Sequence, residues 1–126
     1  MPRARVLVVE DNEKNMKLVR ELLEATGYRP LQATTGSLAL ELALEHRPDL
    51  VLMDIRLPDI DGLEALSRLR ADERTATIPV LAVTAQAMQG DRERFLAAGF
   101  DGYLSKPIDV GELLEAVSRH CGTANG

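Results

Sequence analysis

Three carboxylates, one hydroxyl and one ammonium stand where short apolar runs of this chain end. Glu10 and Asp11 follow the run 6–9, and Asp54 ends the run that begins at 50. Thr84 ends the run that begins at 80 and is followed by Ala85; Ser105, Lys106 and Pro107 follow 102–104. Taken singly, each has an ordinary reading. An Asp at a strand end usually sets a turn or caps a helix, as Asp11 or Asn12 would. Thr84 fits a turn, and Lys106 fits a solvated surface charge. Taken together they ask for more. Three carboxylates converging without a cation repel one another and raise one another's pKa values. One lysine does not balance them, and an oxygen-only, partly hydrated site suits Mg²⁺. A carboxylate beside a hard divalent ion, a lysine and a hydroxyl is equipped for phosphoryl transfer onto Asp. In that chemistry Asp54 is the nucleophile, and the metal and Lys106 offset charge on the phosphoryl oxygens. Thr84 donates to one of those oxygens, and Ala85 leaves space and a backbone N–H beside it.

These residues meet only if the runs lie side by side. The runs 6–9, 50–53 and 80–83 are continuous and rich in valine and leucine, which suits parallel strands buried on both faces. The segment 30–33 is a weaker strand, and its initial Pro30 predicts an edge position; 102–104 is a short strand. Helical spacing fills the gaps. Met16, Val19, Leu22, Leu23 and Thr26 share one face, with Gly27 as the stop. Leu38, Leu42 and Ala43 mark a second helix that ends before Pro48; Leu63, Leu66 and Leu69 mark a third. Met88, Arg92, Phe95, Leu96 and Gly99 predict a less apolar fourth, and Val110, Leu113, Leu114 and Val117 a fifth. The tail 123–126 is expected to fray. Five strand–helix repeats predict an open α/β sandwich with right-handed crossovers. Ligands in such sheets sit beyond the carboxyl ends of the strands, where the charged residues collect.

Composition excludes other classes. The chain of 126 residues fits one domain, and 45% apolar residues suffice for a core. A net charge of −5 argues against nucleic acid as the main partner. No apolar run approaches membrane-spanning length, and the start, with Pro2, Arg3 and Arg5, lacks a signal-peptide pattern. One cysteine, Cys121, forms no internal disulfide and fits the cytoplasm, as a small residue near a helix end. His46 and His120 fall near helix C-termini, where the helix dipole suits them better than metal binding would.

Five ordered motifs carry a resemblance over nearly the whole chain. They are Val-Glu-Asp-Asn at 9–12, Met-Asp at 53–54, Leu-Pro-Asp-Ile-Asp-Gly at 57–62, Val-Thr-Ala at 83–85 and Lys-Pro at 106–107. The chain resembles the receiver domains of two-component response regulators. Asn12, Asn15 and Met16, with Ala87, Met88, Gly90 and Asp91, look most like single-domain regulators of the DivK type, and nearly as much like receivers of hybrid histidine kinases. The resemblance implies a flavodoxin-like (βα)5 fold with sheet order 2-1-3-4-5, a single receiver domain over 1–126 and a folded core from about 5 to 121. It implies that Asp54 accepts a phosphoryl group from phosphohistidine on a kinase or phosphotransfer protein. Asp11 would ligate Mg²⁺ directly, Glu10 mostly through water, and the backbone carbonyl of Arg56 would add a ligand. Lys106 would pair with the phosphoryl group, Thr84 would be the switch hydroxyl, and Tyr103 the switch aromatic, pointing outward until Thr84 moves. Glu10 stands where aspartate is commoner. Lys106–Pro107 is expected to be cis. Such a domain is no enzyme in the usual sense, though it assists its own phosphorylation and dephosphorylation. Its output is expected to be protein binding on the face of the fourth helix, fifth strand and fifth helix, with no appended domain.

Other classes fit less well. A haloacid dehalogenase-type phosphatase needs a second acid two residues after Asp54, and Arg56 stands there. Thr34, Thr35, Gly36 and Ser37 look phosphate-friendly, as in a flavodoxin-like electron carrier, but only 3% of the chain is aromatic. The P-loop pattern is absent. A pseudo-receiver would have broken motifs, and these are intact. A receiver module of a hybrid kinase, and a phosphate sink or pseudo-receiver interaction domain, remain the alternatives closest to the main reading.

Overall fold

A computed structural model describes residues 4–85 and 90–121. Five strands alternate with five helices: β1 Arg5–Val9, α1 Glu13–Ala25, β2 Arg29–Ala33, α2 Gly36–His46, β3 Leu50–Asp54, α3 Gly62–Ala71, β4 Val80–Thr84, α4 Asp91–Ala98, β5 Gly102–Ser105 and α5 Val110–Cys121. The strands form one parallel sheet in the order β2-β1-β3-β4-β5, as expected. Every residue of β3 and β4 is buried, which explains their unbroken apolar runs. Pro30 does lie on an edge strand.

The sheet divides the core in two. Leu7, Val9, Val51 and Met53 point to the side of α2, α3 and α4; Val6, Val8, Leu50 and Leu52 point to the side of α1 and α5. That alternation fixes the register. It also sends Glu10, Asp54 and Thr84 to one edge, because each stands at or just past the end of a buried strand.

The helices depart from expectation in detail. α1 buries Met16, Val19 and Leu23, but Thr26 lies past its end as the C-cap, where its hydroxyl donates to the Leu22 carbonyl at 2.8 Å. α2 and α3 bury small residues as well as large ones: Ala39, Ala43 and Ala65 are buried with Leu66 and Leu69, while Leu38, Leu42 and Leu63 are only half-buried. α4 begins at Asp91, and among its residues only Phe95 is buried. Arg92 and Leu96, which helped to mark this helix in the sequence, are exposed, and Met88 lies outside the described residues, as does the tail 123–126. Val110 of α5 is exposed while Leu113 and Val117 are buried. An eight-residue helix over a short edge strand has little core to face, so its sequence carries little pattern.

Two connections fix the β3–α3 loop. Asp61 caps α3 by accepting from the Glu64 N–H at 2.8 Å. The Gly62 N–H donates to the Ile55 carbonyl at 2.8 Å. A Cβ on Gly62 would stand 2.7 Å from the Asp54 carbonyl oxygen and 2.8 Å from the Ile55 Cα. Both are backbone atoms and cannot swing aside, so Asp-Gly at 61–62 follows from helix α3 starting against the strand that carries Asp54. Gly62→Ala is expected to cost about 1–3 kcal/mol, the range for overpacking a close contact. Chemical denaturation checks it; an unchanged midpoint refutes the contact.

Candidate functional site

Glu10 follows β1, Asp54 ends β3, and Lys106 follows β5, with β4 between the last two, so three strands of one sheet deliver charge to one edge. Glu10, Asp54 and Thr84 are all buried, at 4%, 6% and 5% exposure, whereas Asp11 is exposed. Carboxylate oxygens of Glu10, Asp11 and Asp54 lie within 4.8 Å of one another. The Lys106 ammonium sits between two of these groups. It donates to Glu10 Oε1 at 2.8 Å and Oε2 at 3.1 Å, and to Asp54 Oδ2 at 2.9 Å. The other Asp54 oxygen accepts from the Arg56 N–H at 3.1 Å. The strand also guides Lys106: its N–H donates to the Thr84 carbonyl at 2.8 Å, and the Lys106–Pro107 bond is cis, as expected.

Burial, reinforced by Asp54 beside it, pushes the Glu10 carboxyl up to about 7 against the opposing pull of Lys106 and Asn15. For Lys106, burial acts to lower the pKa, but the hydrogen bonds to Glu10 and Asp54 more than offset it and hold the ammonium above its ordinary value. The site thus has more carboxylate than it can balance, and an oxygen-only cluster of this kind fits a hard divalent cation.

A raised Glu10 gives a definite pH dependence. The folded state binds the Glu10 proton more tightly than the unfolded chain, whose ordinary value is 4.5. The resulting contribution to stability is present below pH 4.5 and is lost as pH rises through about 7. Metal-free Glu10→Gln should therefore gain stability over the wild type as pH rises across that window. Denaturation in chelator at several pH values checks it; a constant difference between the two proteins contradicts the raised value.

Several residues singled out by sequence have other surroundings. Tyr103 on β5 is half-buried and does not simply point outward: its ring stacks on Phe95, with centroids 5.9 Å apart and planes at 21°. Ala85 is exposed beside Thr84. Asn12, rather than Asp11, caps α1, accepting from the Asn15 N–H at 3.0 Å. The phosphate-friendly stretch is already filled. Asp59 accepts from the N–H groups of Gly36 and Ser37 at 2.8 and 2.9 Å and from the Ser37 hydroxyl at 2.6 Å. Those donors hold its carboxyl well below the usual carboxylate range. His46 ends α2 and His120 lies in the last turn of α5. Burial pushes the Cys121 thiol up to about 11, so it is a poor nucleophile.

Sequence reasoning gave no role in the site to one neighbour and missed a brace at the far edge of the sheet. The Asn15 side-chain amide donates to Glu10 Oε1 at 2.8 Å. Arg70 donates to the carbonyls of Ala76, Ile78 and Gly99 and pairs with Asp101 at 2.9 Å, tying α3 to the end of α4. Of these, only Asn15 was singled out in the sequence, as one of the residues that carry the resemblance.

Known proteins are similar to this chain in sequence and fold. Residues 6–118 match the family described as the response regulator receiver domain. The polar-differentiation response regulator DivK of Brucella anthropi is 51% identical over 124 residues, 98% of this chain and 100% of that protein. DivK of Brucella ovis is 51% identical over 119 residues, 94% of this chain and 97% of its own. Among solved structures, the receiver domain of the sensor histidine kinase PA1611 from Pseudomonas aeruginosa, with a magnesium ion coordinated in its active-site cleft, superposes with a TM-score of 0.88. It is 39% identical, and the match covers 97% of this chain and 100% of that one. The Vibrio cholerae chemotaxis protein CheY4 gives a TM-score of 0.87 at 28% identity, over 94% of this chain and 99% of that one. The chain belongs to the response regulator receiver family and is a DivK-like phosphorelay switch.

Proposed function

We propose that Asp54 is the residue on which this switch is thrown, accepting a phosphoryl group from a phosphohistidine of a kinase or phosphotransfer protein in the cytoplasm. The observation that carries the reading is the Lys106 ammonium, held 2.9 Å from Asp54 Oδ2. An Asp54 oxygen attacks phosphorus, the P–N bond breaks, and the imidazole nitrogen keeps the electron pair and takes a proton. Lys106 already lies beside Asp54, so it can turn from Glu10 onto the phosphoryl oxygens. Asp11 and Asp54 would hold Mg²⁺ together with the Arg56 carbonyl, and Glu10 would act mostly through water. When bound, the ion neutralises charge on the transferring group. The same residues assist hydrolysis of the acyl phosphate. A small acyl phosphate tests the reading: intact mass should rise by one phosphoryl group with Mg²⁺ and not with chelator. Equal labelling under both conditions rules out the metal-assisted route.

Thr84 and Tyr103 would carry the change outward. Roughly two added negative charges draw the Thr84 hydroxyl toward the phosphoryl group. Tyr103 then follows into the space that Thr84 vacates. Moving an equilibrium from 1:99 to 99:1 takes about 5.5 kcal/mol, and two or three charge-assisted hydrogen bonds at about 1.5–3 kcal/mol each supply it. The surface so altered would be α4–β5–α5, where Arg92, Tyr103, Glu112, Glu115 and Arg119 line a groove. A mixed rim of this kind suits a transient protein partner. Met88 and Gln89, assigned to the same rim, lie outside the described residues. Thr84→Ala should therefore take up the phosphoryl group yet leave partner affinity within about twofold of the unphosphorylated value. Binding of partner to wild type and variant, each with a beryllofluoride mimic, checks it; a full response in the variant contradicts the coupling.

A further inference from the structure

We propose that Asn15 is a positioning residue: it holds Glu10 when Lys106 leaves for the phosphoryl group, and so eases formation of the phosphorylated state. The inference rests on the reading above for where Lys106 goes. Glu10 is almost fully buried, and its carboxylate receives Lys106 on both oxygens and the Asn15 amide on Oε1. A phosphoryl group on Asp54 draws the ammonium away from Glu10. A buried carboxylate stripped of its ammonium is costly unless another donor stays. Asn15 is the donor of the chain itself that stays, beside the water through which Glu10 would act. Being neutral, it stabilises the Glu10 charge without competing for the phosphoryl group as a second cation would.

The helix leaves Asn15 available for this role. Its backbone N–H is capped by Asn12, so its side chain is not needed to start α1. Alanine at this position favours helix and removes only the contact to Glu10. In the metal-free protein Lys106 still satisfies Glu10, so Asn15→Ala should leave the denaturation midpoint in chelator close to wild type.

The test compares wild type, Asn15→Ala, Glu10→Gln and the double variant. Two quantities are read: the rate of labelling by a small acyl phosphate at saturating Mg²⁺, and the affinity for beryllofluoride followed by NMR. Asn15→Ala is expected to lower both about tenfold, as loss of one hydrogen bond to a charged group would. In the Glu10→Gln background the same substitution should cost less than about twofold, because no charge is left stranded. Equal losses in the two backgrounds would mean that Asn15 acts apart from Glu10 and overturn the proposal. So would an Asn15→Ala protein with wild-type rate and affinity. A wild type that is not labelled at all overturns the phosphoacceptor reading itself, and this inference with it.

Discussion

Asp54→Asn is expected to take up no phosphoryl group from an acyl phosphate or a phosphohistidine donor, whatever the Mg²⁺ concentration. An amide is too weak a nucleophile to form the acyl phosphate, and the arrangement around position 54 offers no equivalent substitute. Asp11 is exposed and Glu10 is engaged by Lys106 and Asn15. The substitution should also leave the fold intact, since Asn has nearly the same shape and its one amide oxygen can still accept from either the Arg56 N–H or Lys106. Circular dichroism separates loss of the nucleophile from loss of structure. Labelling of a folded Asp54→Asn protein at the wild-type rate would move the phosphoacceptor elsewhere.

Lys106→Met is the second large effect. Side-chain exposure is 17% for Lys106, 5% for Glu10 and 8% for Asp54, so the ammonium is the inner cation of a largely dry cluster. Removing one partner of such a pair leaves uncompensated buried charge, at a cost of about 3–5 kcal/mol. Methionine keeps most of the stem, so the loss reports charge rather than packing. The deficit should be largest in chelator at neutral pH. It should shrink toward pH 5, where Glu10, with its carboxyl raised to about 7, takes up a proton. It should shrink also in the Glu10→Gln background, where one of the stranded charges is gone. Denaturation of the single and double variants at two pH values measures this. A Lys106→Met protein as stable as wild type in chelator at pH 7 would show that the ammonium is not needed between the carboxylates.

The parts of this molecule that were legible in the sequence are those governed by short range. Buried parallel strands read as runs of valine and leucine, and whatever ends such a run must reach the sheet edge; that placed Glu10, Asp54, Thr84 and Lys106 together. The motif Asp-Gly at 61–62 was legible as a pattern but not as a cause, which is the backbone contact between Gly62 and the strand of Asp54. Inner helix faces were less readable. Periodicity found the buried Ala43, Leu66 and Leu69 but passed over the buried Ala39 and Ala65, while Leu38, Leu42 and Leu63, which it also picked, are only half-buried. Partners far apart in the chain left almost no signal. Asp59 reaches the start of α2 and Arg70 reaches Asp101, and nothing in local spacing announces either contact. Tyr103 belongs with these, since its position against Phe95 depends on where a short, weakly patterned α4 comes to rest.

The central claim is that one carboxylate, that of Asp54, takes the phosphoryl group. Borohydride reduces an aspartyl phosphate to homoserine while leaving free carboxylates untouched, so it writes the site permanently into the chain. Wild-type protein labelled with a small acyl phosphate and Mg²⁺, then reduced and digested, should carry homoserine at position 54 and at no other aspartate. Homoserine at Asp11, or reduction at no aspartate despite a mass increase, would contradict the account.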